Sequence, residues 1–105
     1  MMNQLPKNFR KFQEEHKDIY EAYEKLGEAA ACCGPLDGKT RELVKLGMAA
    51  AIGSQGSVQS HTHRALNCGI SPAEIEHAIV LGVTTLGFPK TMAALSWARE
   101  ALEEK

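Results

Sequence analysis

The sequence predicts an all-α protein of about five helices. Apolar residues recur at steps of three and four along most of the chain, the spacing that lines one face of a helix. Capping residues and glycines bracket these stretches at the places where helices start and stop. No stretch alternates polar and apolar residues with the period of two that a half-buried strand requires.

Residues 1–8 read as a loose arm. From Phe9 the spacing runs through Phe12, His16, Ile19, Tyr20, Tyr23 and Leu26, with charges between, and predicts one amphipathic helix ending near Gly27. Its four aromatic rings are a large apolar load for a small domain and point to core or subunit packing. Residues 28–38, EAAACCGPLDG, read as a small-residue connection with a turn at Gly34-Pro35. Cys32 and Cys33 within it are expected to be buried as small apolar residues, and Cys68 to pack at a helix end.

Asp37 to Thr40 supply capping residues for a second helix that runs to Ile52. Its centre, LVKLGMAAAIG, is apolar or small on most sides, which predicts a central helix. Gly47 and the alanines are expected to let neighbouring backbones approach, the C-terminal helix among them. Ser54 is placed to cap a third helix, from Ser57 to about Cys68, closed by Gly69. Ser71-Pro72-Ala73-Glu74 has the form of a capping box with proline in the first turn. The fourth helix that follows carries Ile75, Ala78, Ile79, Gly82, Val83 and Leu86 on one stripe, and Gly87-Phe88-Pro89 ends it. A fifth helix, from Pro89 to about Glu103, is expected to align Met92, Leu95, Ser96, Arg99 and Leu102 on one side and Trp97 on another.

The 105 residues suit one small domain, taken here as residues 1–105. The formal net charge of -1 gives no footprint for nucleic acid. No apolar run approaches the ~18 residues of a membrane span, and the polar N-terminus does not resemble a secretory leader. The expectation is a cytoplasmic protein with no membrane association. Three cysteines give neither a disulfide framework nor zinc-ligand spacing.

Chemistry-bearing residues gather between Glu42 and His61. Ser54 lies twelve residues after Glu42, Ser57 three after Ser54, and His61 four after Ser57. Steps of three and four return to one helix face, so Ser54, Ser57 and His61 are expected to converge, with Glu42 opposite across a helix pair. Arg64, one turn beyond His61, is placed to hold an anion. Plainer roles exist for each: Ser54 as a cap, Ser57 as a back-bonded helical serine, His61 and Glu42 as a structural pair. A Ser57-His61-Glu42 hydrolase triad lacks a nucleophile elbow. His61 and His63 point about 200° apart on a helix, so they would not share one ion. No metal and no cofactor is expected.

The layout resembles the alkylhydroperoxidase D-like / carboxymuconolactone decarboxylase family. Glu42 and His61 match the family's Glu and His, and Ser54 and Ser57 stand where its Cys-x-x-Cys would be. The similarity continues through HTHRALNCGISPAEIEHAIVLGVTTLGFP and covers roughly residues 36–95. The resemblance implies the family's helical fold, a trimer or hexamer with the site near a subunit contact, and a Glu–His proton relay. A peroxiredoxin-like reaction at this site needs an attacking and a resolving sulfur, which serine does not supply. The family's decarboxylase branch works without that pair. The reading is therefore thiol-free acid–base chemistry, decarboxylase-like, on a small anionic organic molecule, with Glu42, Ser54, Ser57 and His61 as catalytic candidates and Arg64 as the substrate anchor. The alternatives are peroxidase or disulfide-reductase activity through other cysteines, and a non-catalytic helical oligomer that binds a ligand or partner.

Overall fold

A computed structural model describes residues 7–104. The arm expected over residues 1–8 lies mostly outside this range, and its last two residues already belong to a helix. Six α-helices follow in order: α1 (Lys7–Glu15), α2 (Lys17–Cys32), α3 (Gly38–Ile52), α4 (Gln55–Asn67), α5 (Pro72–Val80) and α6 (Phe88–Glu103). A 3₁₀ turn, Leu81–Thr84, continues α5. No strand occurs among the described residues, so the all-α expectation holds with one helix more than five. The helices group into two units, one holding α1 and α2, the other spanning Leu36–Glu104.

In the first unit the single helix predicted from Phe9 is broken at His16, whose backbone leaves the helical region at φ -131° and ψ 58°. The break folds α1 back on α2. Phe9 and Tyr20 meet edge to face with ring centroids 5.8 Å apart. On one straight helix eleven residues would separate them by about 16 Å along the axis. The apolar spacing runs through the break unchanged, so periodicity alone does not register it. At its other end α2 passes the predicted stop at Gly27 and reaches Cys32. A mid-helix glycine costs roughly 1 kcal/mol, and the Glu28-Ala29-Ala30-Ala31 run that follows is made of strong helix formers that carry the helix on. Every residue from Glu21 to Ala30 is exposed, including Tyr23 and Leu26.

The second unit is built around a core of Leu46, Ala49, Ala50, Val58, Ala65, Ile70, Ile75, Ile79, Ala94, Leu95 and Ala98. Its helix ends follow the sequence closely. The Asp37 carboxylate accepts from the Thr40 N–H at 2.8 Å and caps α3. That bond holds the Asp37 carboxyl below the usual carboxylate range. At α5 the Ser71 hydroxyl accepts from the Glu74 N–H, and the Glu74 carboxylate accepts from the Ser71 N–H, completing the box. The bond from the Ser71 N–H lowers the Glu74 carboxyl likewise. Gly53 and Gly69 close α3 and α4 at φ 73° and 87°, a region open to glycine. In both turns the residue after the glycine reaches back to the helix: Ser54 N–H to Ala49 O, and Ile70 N–H to Ala65 O.

On two helices the buried side is narrower than the apolar pattern. On α6 the buried side is Thr91, Ala94, Leu95, Ala98 and Ala101, while Met92, Ser96 and Arg99 are exposed. Alanines form the contact because they let α6 approach its neighbours closely. On α3 the packed side is Leu46, Ala49 and Ala50, and Val44, Met48 and Ile52 lie open. A Cβ at Gly47 would meet no atom within 4 Å, so Gly47 is not a point of close approach. Leu46 is fully buried. Leu46→Ala should therefore lower unfolding stability by about 2–5 kcal/mol, read as a fall in the urea midpoint.

Candidate functional site

The Gly53-Ser54 connection turns the chain so that α4 packs along α3. Each residue has a local reason for its place. Gly53 takes the left-handed conformation that ends α3, and the Ser54 hydroxyl accepts from the Ser57 N–H at 3.2 Å to start α4. α4 begins at Gln55, two residues before the predicted start at Ser57.

This packing brings Glu42 to His61. Glu42 Oε1 lies 3.0 Å from His61 Nδ1, with side-chain exposures of 17% and 13%. Both groups have lost most of their water, so each depends on the other for hydrogen bonding. In the neutral imidazole this geometry favours a hydrogen on Nδ1 that donates to the carboxylate, leaving the Nε2 lone pair free to take a proton. In the imidazolium the same contact becomes an ion pair. The two states differ by one proton at an atom whose ring orientation the carboxylate already fixes.

The serines occupy different roles. Ser54 is the α4 cap, so the plainer expectation for it is met. Its hydroxyl hydrogen remains available after Oγ has accepted from Ser57. Ser57 is half-buried, and its backbone N–H is committed to Ser54. Arg64 is exposed, one turn beyond His61 on α4. His63 turns to another partner: its Nε2 lies 2.9 Å from Glu104 Oε1, and its Nδ1 is buried without a hydrogen bond. The two histidine rings thus serve separate carboxylates, as their angular separation on a helix requires.

Three long-range hydrogen bonds of α4 and the end of α3 have no signal in the sequence. Lys90 donates to the Ala51 carbonyl at 3.1 Å, and its ammonium lies 3.9 Å from the position of a Cβ on Gly53. A cation therefore sits beside the turn that carries Ser54. Gln59 donates to the Trp97 carbonyl at 3.2 Å and to Glu100 at 3.0 Å, tying α4 to α6. These pairs lie 38 to 41 residues apart, beyond any local spacing rule. All three cysteines are exposed, against the expectation that they are buried.

Comparison with known proteins gives one family match. A model described as the carboxymuconolactone decarboxylase family aligns with residues 17–100. No curated protein matches the chain. No helix among the described residues is long and apolar enough to cross a membrane.

The cap can be separated from any chemistry at Ser54. Ser54→Ala should cost about 1 kcal/mol of unfolding stability, and Ser54→Gly only a few tenths, because glycine leaves the cap open to water. Paired urea titrations of the two variants read the difference.

Proposed function

The chain belongs to the carboxymuconolactone decarboxylase family, and from that premise we propose that it performs thiol-free proton transfer, decarboxylation in kind, on a small organic acid. The observation that supports this reading is the Glu42–His61 contact at 3.0 Å, held largely out of water. A general base or acid needs a group that gains and loses a proton near neutrality and keeps its orientation while doing so. The His61 imidazole can take or give a proton at Nε2, and the Glu42 carboxylate holds its ring in place.

In the proposed reaction the bond between the substrate carbon and its carboxylate breaks, and carbon dioxide leaves. The electron pair stays on the carbon, spread into an adjoining unsaturated system. His61 then delivers a proton from Nε2 to that carbon. Arg64 attracts the acid as a delocalised cation. Ser54 and Ser57 supply hydroxyls for hydrogen bonding rather than nucleophiles, since among the described residues no hydrogen bond joins either hydroxyl to a base.

The exposed apolar side chains support a further part of the reading, a homo-oligomer. Leu26 on α2 is 68% exposed, and Met48 and Ile52 on α3 are 61% and 72% exposed. Such runs of large apolar side chains mark surfaces that associate. Light scattering at micromolar concentration should give a mass above that of one chain. A monomeric mass would remove this part of the reading.

A thermal-shift screen of muconolactone-type and other small carboxylates tests the main part, because a ligand that binds only the folded state raises the melting temperature. With a carboxylate that binds and turns over, His61→Ala should reduce kcat about 10²- to 10⁴-fold. Glu42→Gln should reduce it less, by loosening the ring without removing it. Loss of binding without loss of kcat in His61→Ala would place the histidine in recognition alone.

The missing sulfurs give an independent check. Ser54→Cys with Ser57→Cys should fold, form a disulfide on oxidation and gain peroxide turnover that His61→Ala removes. The unsubstituted protein should show no peroxide turnover in the same assay. Equal peroxide reduction by the unsubstituted protein would overturn the thiol-free reading.

A further inference from the structure

The proposed function at Glu42 and His61 makes no use of the adjacent thiols of Cys32 and Cys33. Cys32 is the last residue of α2, and Cys33 follows it as the helix unwinds, at φ -82° and ψ -3°. Both are free and exposed. This is unusual for cysteine, which is among the residues most often buried. The residues beside them in the chain are small: Ala29, Ala30 and Ala31 precede them and Gly34 follows.

Two features of adjacency decide what such a pair can do. Consecutive Cα atoms lie about 3.8 Å apart, short of the roughly 4.4–6.8 Å that an ordinary disulfide spans. Direct oxidation to an S–S bond therefore strains the peptide between them. Inserting one atom between the sulfurs adds a member to the ring and relaxes that strain. Each bond from sulfur to such a centre is about as long as the roughly 2.3 Å of a zinc–thiolate bond. The pair is thus better suited to hold a bridging centre than to close on itself. Thiolates are soft ligands and select soft centres over hard cations such as magnesium or calcium.

We propose that Cys32 and Cys33 form a bidentate site for a thiophilic trivalent metalloid of the As(III) class. The reaction is a ligand exchange with no change of oxidation state. Each thiol gives up its proton, two sulfur–arsenic bonds form, and an oxygen on arsenic leaves with those two protons as water. No oxidant, reductant or further co-reactant is needed. The second sulfur makes the adduct a chelate. Once the first bond has formed, its closure is intramolecular and faces a high effective concentration.

Phenylarsine oxide is the probe, with the native protein read by intact mass. The expected product is one phenylarsenic group per chain with two hydrogens lost. It should persist in excess glutathione and be removed by a small dithiol. Cys32→Ser and Cys33→Ser should each lose the glutathione-resistant adduct, while Cys68→Ser keeps it. Circular dichroism and melting temperature of the variants should match those of the unsubstituted protein, since both side chains lie at the surface. The proposal is overturned if no resistant adduct forms, if either single variant retains it, or if Cys68→Ser abolishes it. Because the site uses neither Glu42 nor His61, His61→Ala should bind the probe as the unsubstituted protein does.

Discussion

The Gly53-Ser54 turn is the constraint on which the candidate site depends. Two residues end one helix and begin the next. Gly53 supplies the left-handed conformation, and Ser54 supplies both a backbone N–H for the end of α3 and a hydroxyl for the start of α4. With so short a connection the two helices have little freedom to slide, so the positions that face each other along them are set. Glu42 and His61 are one such pair. A longer or looser turn would let α4 shift by a residue, and a one-residue shift on a helix rotates a side chain by about 100° and off its partner.

Ser54 is therefore both a cap and a member of the candidate site. In the resembled thiol-dependent branch of the family, the corresponding position carries a cysteine, which sits where a helix start favours a thiolate. Serine at this position accepts from the Ser57 N–H and makes a stronger acceptor than a thiol would. Under the proposed reading, serine here would withdraw sulfur chemistry and strengthen the turn. The proposed acid–base chemistry at His61 would gain from a rigid turn, because it uses a fixed orientation of the ring toward Glu42.

Small residues set the packing that surrounds this turn. Ala49, Ala50, Ala65, Ala94 and Ala98 all belong to the core, and larger Leu46, Val58, Ile75 and Ile79 fill the spaces between them. An interior close-packed in this way transmits small displacements, so the Glu42–His61 distance is sensitive to substitutions well away from it. The price of alanine packing is a modest buried apolar area per helix. Large apolar side chains meanwhile remain on the outside of α3, which gives association a physical motive.

What the sequence determined by itself is local. The caps at Asp37, Ser54 and Ser71 and the closure at Gly69 were legible because each involves residues only a few positions apart, where backbone geometry dictates the partner. The closeness of Glu42 and His61 was legible for a related reason, since a short turn between two helices leaves few registers. Tertiary structure decided the rest. The break at His16 needed the edge-to-face contact of Phe9 and Tyr20, which compensates a local departure from helix that no spacing records. The buried side of α6 turned on alanines, whose weak apolar character hides them from a search for large side chains. Lys90 beside Gly53 and His63 beside Glu104 join residues about forty positions apart. Such pairs form because helices that pack on a common core bring their flanks together, and the chain between them holds no trace of the meeting.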